Sequence, residues 1–323
     1  MSLSRAMLED AAKAVHAVFP PTPQRRWPLL ERRAGCEVWV KHENHAPTGA
    51  FKVRGGLTYL ASLVRREPAV AGVLAATRGN HGQSVAFAAA RHGLPAVIVV
   101  PHGNSREKNA AMRAFGAELI EHGTDFQEAY EYAGALARER GLHFVNSFDA
   151  ALVLGVATYA LELFTAAPEL DVVYVPIGMG SGISGVIAAR DALGLRARIV
   201  GVVSEALPSY QRSFVEGRPI STPPGTTIAD GLACRVPNPT AVATIGAGAE
   251  RVVAVSEPAI RAAMRHYFTD THNVVEGAGA APLAAVLEER ESLRGRKVAV
   301  IASGGNVDAD VFANVLIEGN DPH

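Results

Sequence analysis

Residues 73–103 read VLAATRGNHGQSVAFAAARHGLPAVIVVPHG, and this run decides the architecture. Val73 to Ala76 is a short apolar strand that runs into the turn Gly79-Asn80-His81-Gly82. Gln83 to His92 follows as an Ala-rich helix. Ala96 to Val100 is a second, fully apolar strand, stopped by Pro101 and Gly103. Strand, turn, helix and strand in this order predict a largely parallel α/β sheet. Ligands in such sheets bind beyond the carboxyl ends of the strands.

The alternation extends both ways. Upstream, Gly35 to Val40 reads as a strand and Gly55 to Arg66 as a helix. Downstream come a helix over Arg106 to Phe115, a strand over Glu118 to Ile120, a helix over Asp125 to Arg140 and a strand over Phe144 to Asn146. Val172 to Val175, Arg198 to Val203, Arg251 to Val255 and Lys297 to Ala302 are further strands. Helices are expected from near Gly185 and over Pro258 to Phe268.

Composition narrows the class. The 323 residues suffice for one large or two ordinary domains, and 48% apolar with 20% charged residues describes a globular chain. A net charge of −1 argues against nucleic acid or an anionic membrane as partner. Two cysteines, Cys36 and Cys234, cannot build a disulfide framework or a zinc site, so a reducing, cytoplasmic setting is expected. Met1 to Lys13 reads as an amphipathic helix start without a signal-peptide core, and no apolar run approaches the ~20 residues of a membrane helix. Nothing in the chain reads as an appended regulatory domain.

Four strand-end turns carry chemistry. Lys41 to Gly56, KHENHAPTGAFKVRGG, follows a strand and opens a helix with Lys52 in the turn. Partial burial there lowers an ammonium pKa, and a neutral amine is what imine formation needs. Val175 to Gly185, VPIGMGSGISG, is a Gly-rich turn into a helix, where free N–H groups and the helix dipole converge on one anion. Its G-x-G-x-x start leaves a dinucleotide site open, but it lacks the lysine of a nucleotide-triphosphate loop. Ala76 to Gln83 sets polar side chains at a helix start, and Ala302 to Asn306, ASGGN, ends another strand. Taken singly, each turn reads first as an ordinary connection or cap, and Lys52 as a lysine on a solvated helix face. Together they do not.

In order and spacing these turns resemble the fold-type II pyridoxal-phosphate (PLP) enzymes, specifically the serine/threonine dehydratase (threonine ammonia-lyase) and serine racemase group. The resemblance runs from about Thr22 to about Asn306, through PTGAFKVRGG, GNHGQ, TIADG and SGGN. It implies the tryptophan synthase β-like fold: two parallel-sheet domains with the site between them, a large one over 1–66 and 152–323 and a small one over 67–151. It implies a Schiff-base role for Lys52, packing of Phe51 on the cofactor ring, and a hydrogen bond from Asn80. Gly178, Met179, Gly180, Ser181 and Gly182 would bind the phosphate, Ser303 would face the pyridine nitrogen, and Glu276 matches a glutamate near the cofactor. Thr77, Arg78, Gly79, Asn80 and His81 would receive the substrate. A neutral hydroxyl at the ring nitrogen makes the ring a weaker electron sink, which favours expelling a β-hydroxyl.

Three departures refine this. Racemases of the group carry a serine where this chain has Arg78, and a guanidinium makes a poor proton shuttle. The usual GQGT segment is Gly155-Val156-Ala157-Thr158 here, which predicts either a more apolar substrate wall at Val156 and Ala157 or, equally, a compensated packing change outside the site. The metal site of relatives, for Mg²⁺ or Ca²⁺, finds matches at Glu205 and Ser209, but its third acidic position falls near Gln211. The expectation is a PLP-dependent lyase that turns a β-hydroxy amino acid of the L-threonine or L-serine type into a 2-keto acid and ammonia. Bulkier substrates such as phenylserine or 3-hydroxyaspartate, racemisation and β-replacement are the alternatives. Its partners would be a small-molecule substrate and copies of itself, as a homodimer or higher homo-oligomer.

Overall fold

The computed structural model describes residues 3–318. Its strands are β1 (Gln24–Arg26), β2 (Glu37–His42), β3 (Val73–Ala76), β4 (Ala96–Val100), β5 (Glu118–Glu121), β6 (His143–Phe144), β7 (Val172–Pro176), β8 (Arg198–Ser204), β9 (Arg251–Val255) and β10 (Lys297–Ala302). They form a six-stranded sheet in the order β1-β2-β10-β7-β8-β9 and a four-stranded sheet in the order β5-β4-β3-β6. Every pairing is parallel except that of β1 with β2. Parallel strands need helices on both faces, and β3, β4 and β7 are accordingly buried at every residue.

The expected strands are found, with the first displaced to Glu37–His42 and the one expected over Phe144 to Asn146 shifted to His143–Phe144. The helices depart more. Those expected from Gly55, Gln83 and near Gly185 begin three or four residues earlier, at Lys52, Asn80 and Ser181. The helix over Ala150–Ala166 has no counterpart in the sequence reading. Its start is capped by Asp149, whose side chain accepts from the Ala151 N–H, and most of its residues are buried.

That buried helix fixes the helix bearing Lys52. A methyl on Gly55 would lie 2.8 Å from the Leu152 carbonyl oxygen, and methyls on Gly56 and Gly155 would collide with Ser84 and with the Arg54 backbone. Three helices, Lys52–Arg66, Asn80–Arg91 and Ala150–Ala166, therefore meet backbone to backbone. Arg54, fully buried, locks the junction by reaching Glu43 at 2.7 Å and Glu162 at 2.6 Å, while Lys41 adds a 2.5 Å contact to Glu162. Burial alone would raise the Glu162 carboxyl, but the charges of Arg54 and Lys41 outweigh it and lower it to about 2. Among the described residues no helix is long and apolar enough to cross a membrane.

Candidate active site

The carboxyl ends of β3, β7 and β10 face one cavity. Lys52 reaches it because the Phe51 N–H donates to the Ser303 carbonyl at 2.9 Å, which stitches the helix start to the end of β10. The Ser84 hydroxyl holds the Lys52 carbonyl at 2.6 Å from the other side. Lys52 is half-buried, and its amine donates to Ser181 Oγ at 2.9 Å and has no acidic partner among the described residues. Burial lowers its pKa to about 8. The Phe51 ring lies 5.0 Å from the amine and meets Tyr159 edge-on.

Across the cavity, residues 178–182 join β7 to the helix Ser181–Ala192. A methyl on Gly178 would collide with the Gly231 carbonyl oxygen, and Gly180 takes a left-handed φ of 93° with no side chain capping the helix. The first-turn N–H groups of that helix are left for a ligand. Ser303, buried at the end of β10, lines the same cavity with a neutral hydroxyl.

In the β3 turn the Thr77 hydroxyl accepts from the N–H groups of Gly79 and Gly82 at 2.8 and 3.2 Å, so Thr77 shapes the loop as well as lining the cavity. Asn80 donates to Glu276 Oε1 at 2.6 Å and accepts from Asn306 at 2.8 Å. His81 is buried, and burial together with the Lys52 charge lowers its pKa to about 3, so it is a neutral imidazole.

The sequence reading missed Lys108. It lines the cavity from the helix Arg106–Ala114 and contacts Asp230 at 2.8 Å and Glu276 at 3.0 Å. Burial alone would lower its pKa, but the two carboxylates outweigh it and raise it, while burial raises that of Glu276. Asp230 sits in TIADG, a segment noted only for its resemblance; Lys108 had no local signal, because its partners lie more than 120 residues away. Lys108→Met is expected to destabilise the fold by about 3 kcal/mol at pH 7, by stranding Asp230 and Glu276, as read from urea unfolding. An unchanged midpoint would refute the pairing.

Val156 and Ala157 require correction. They do not line the cavity: both are buried in the helix Ala150–Ala166, packed against Gly55 and Gly185 of neighbouring helices. The predicted apolar substrate wall is interhelical core. Ser209 opens the helix Ser209–Glu216 and donates to the Cys234 carbonyl at 2.6 Å, and Glu205 is exposed. Among the described residues no group of three His, Cys, Asp or Glu could hold a metal ion.

Residues 17–304 match the pyridoxal-phosphate dependent enzyme family. The chain belongs to that family. It is 35% identical to the L-threonine ammonia-lyase of Thermotoga maritima over 97% of this chain and 78% of that protein. Among solved structures it is similar to maize serine racemase, with a TM-score of 0.90, 27% identity, and 99% and 98% of the two chains covered. The processed form of threonine deaminase isoform 2 from Solanum lycopersicum aligns with a TM-score of 0.88 and 27% identity, over 99% of this chain and 95% of that one. The residues present suit the family's cofactor: a buried amine without an acid beside it, a glycine cradle at an uncapped helix start for a phosphate, and an aromatic face beside the amine. A pyridoxal-phosphate dependent enzyme needs one neutral amine, and of the two lysines lining the cavity only Lys52 is free of carboxylates.

Proposed function

We propose that this protein removes water and then ammonia from a β-hydroxy amino acid of the L-threonine or L-serine type, leaving a 2-keto acid. The observation carrying the reading is the Lys52 amine, facing Ser181 without an acidic partner and lowered by desolvation to about 8. When bound, pyridoxal phosphate supplies an aldehyde for amines and a conjugated ring that takes up the electron pair left at Cα. Lys52 would hold its aldehyde end, residues 178–182 its phosphate, and Ser303 its ring nitrogen, with Phe51, Asn80 and Glu276 around the ring. The Lys52 amine is then the group able to take the α-proton, since Lys108 is committed to Asp230 and Glu276. His81, neutral, and the loop Thr77–Gly79 form the wall on the substrate side.

The relatives' names, L-threonine ammonia-lyase and threonine deaminase, support this reaction class. The division into residues 1–66 with 152–323 and residues 67–151 belongs to the same reading, supported by the confinement of β3 to β6 to the second span. So do a cytoplasmic location and a homo-oligomeric state, for which unpaired, buried Cys36 and Cys234 and exposed Leu29 and Phe268 speak.

Release of 2-keto acid and ammonia from a panel of β-hydroxy amino acids tests the reading; release from none overturns it. A second test uses pH. Only the neutral Lys52 amine attacks an aldehyde, and its folded-state pKa is lowered to about 8. The rate at which cofactor-free protein takes up pyridoxal phosphate should therefore climb from pH 6.5 and level off above about 8. A rate still climbing towards pH 10 would mean that the amine is not desolvated.

A further inference from the structure

Arg78, in the turn after β3, makes no hydrogen bond and no ion pair among the described residues, and its Nε is enclosed without a partner. A guanidinium keeps its charge at every working pH, and an enclosed donor without an acceptor is destabilising. Arg78 stands in the wall between the Lys52 cavity and an adjoining chamber of about 240 Å³. A second guanidinium, Arg235, lines that chamber. Its Nε is likewise enclosed and unpartnered, although its terminal nitrogen pairs with Asp125. The chamber thus holds two guanidinium groups against the one carboxylate of Asp125. The acids lining the Lys52 cavity, Asp230 and Glu276, are taken by Lys108.

We propose that Arg78, backed by Arg235, recognises a carboxylate on the substrate side chain, so that the preferred substrates are β-hydroxy amino acids of the 3-hydroxyaspartate type. This rests on the lyase reading above. Threonine and 3-hydroxyaspartate are both serines substituted at the β-carbon, by a methyl and by a carboxylate. The methyl leaves Arg78 unpaired; the carboxylate meets its planar fork with two parallel hydrogen bonds. The α-proton and β-hydroxyl leave as water, and one water returns when the resulting enamine hydrolyses. 3-Hydroxyaspartate thus gives 2-oxobutanedioate and ammonia with no oxidant. A site built around a polar partner rejects the analogue that lacks it far more strongly than an apolar pocket rejects an extra group.

The test compares kcat/KM for 3-hydroxyaspartate, as separate threo and erythro isomers, with that for L-threonine in the holoenzyme and in the Arg78→Met, Arg78→Lys and Arg235→Gln variants. The wild type should favour one hydroxyaspartate isomer over threonine. Arg78→Met should shift the ratio towards threonine about 100-fold, the loss of a charge-assisted pair, and Arg235→Gln about tenfold. Arg78→Lys should recover part of the shift. Calorimetry with succinate, an unreactive dicarboxylate, gives a readout independent of turnover: binding to the wild type should be lost in Arg78→Met. Threonine turnover with an unmoved ratio, or succinate binding indifferent to Arg78, overturns the proposal and leaves the lyase reading standing. Ammonia from neither of these nor from L-serine overturns the lyase reading itself.

Discussion

Lys52→Ala protein is expected to lose at least about three orders of magnitude in turnover while remaining folded. Lys52 and Lys108 line the same cavity, yet their environments push them apart: burial lowers Lys52 to about 8, and two carboxylates keep Lys108 charged. Only the first is an available amine, so the second cannot substitute for it. Borohydride reduction of the holoenzyme followed by peptide mapping should label Lys52 alone; label on Lys108 would overturn the assignment. Stability should move in the opposite direction to activity. The folded pKa is lowered from 10.5, so the buried ammonium is a liability fully present below about pH 8 that fades as pH rises towards 10.5. A shift of that size is on the order of 3 kcal/mol. The cofactor-free variant should therefore be no less stable than its parent at pH 7, and its advantage should shrink at pH 10, as read from urea midpoints. A variant clearly less stable at pH 7 would mean that the amine is solvated or paired.

Gly178→Ala should cost cofactor affinity. The added methyl meets the Gly231 carbonyl oxygen, which is backbone, so no flexible side chain can yield. Residues 178–182 must move away from the Asp230-Gly231-Leu232 segment, taking the amides at the start of the helix Ser181–Ala192 out of register with a phosphate. Loss of one charge-assisted hydrogen bond raises Kd by about tenfold or more, measurable by titrating cofactor-free protein with pyridoxal phosphate. Gly246→Ala is the control, because no atom lies within 4 Å of its added methyl and its φ is ordinary. Equal affinities for the two variants would remove residues 178–182 from the phosphate site.

The strands were legible in the sequence because β3, β4, β9 and β10 are short β-branched or Ala-rich runs with breakers at their ends. The helix starts were not, and the reason is functional. Lys52, Asn80 and Ser181 are the first residues of their helices, in turns rich in glycine and polar residues whose propensity argues against helix. Chemistry at a helix start hides that start. The helix Ala150–Ala166 was hidden for another reason: most of its faces are buried, so it lacks the polar stripe that periodicity needs. Val156 and Ala157 were placed in the site by the resemblance of their segment to GQGT, not by any reading of this helix. Lys108 and its acids were illegible because only the folded chain brings them together.

The helices that begin at Lys52, Asn80 and Ser181 all present their first residue to one cavity, and a fourth begins at Gly277, just after Glu276. Each start carries roughly half a positive charge from aligned peptide groups. Their potentials add in a partly enclosed cavity, although the protein as a whole has a formal net charge of −1. This potential belongs to the backbone, so neither pH nor a side-chain substitution on the rim switches it off. The cavity should therefore attract anions indiscriminately at first encounter, with sulfate or inorganic phosphate slowing cofactor entry. Choice among those anions falls to the side chains at its edge, Arg78 among them.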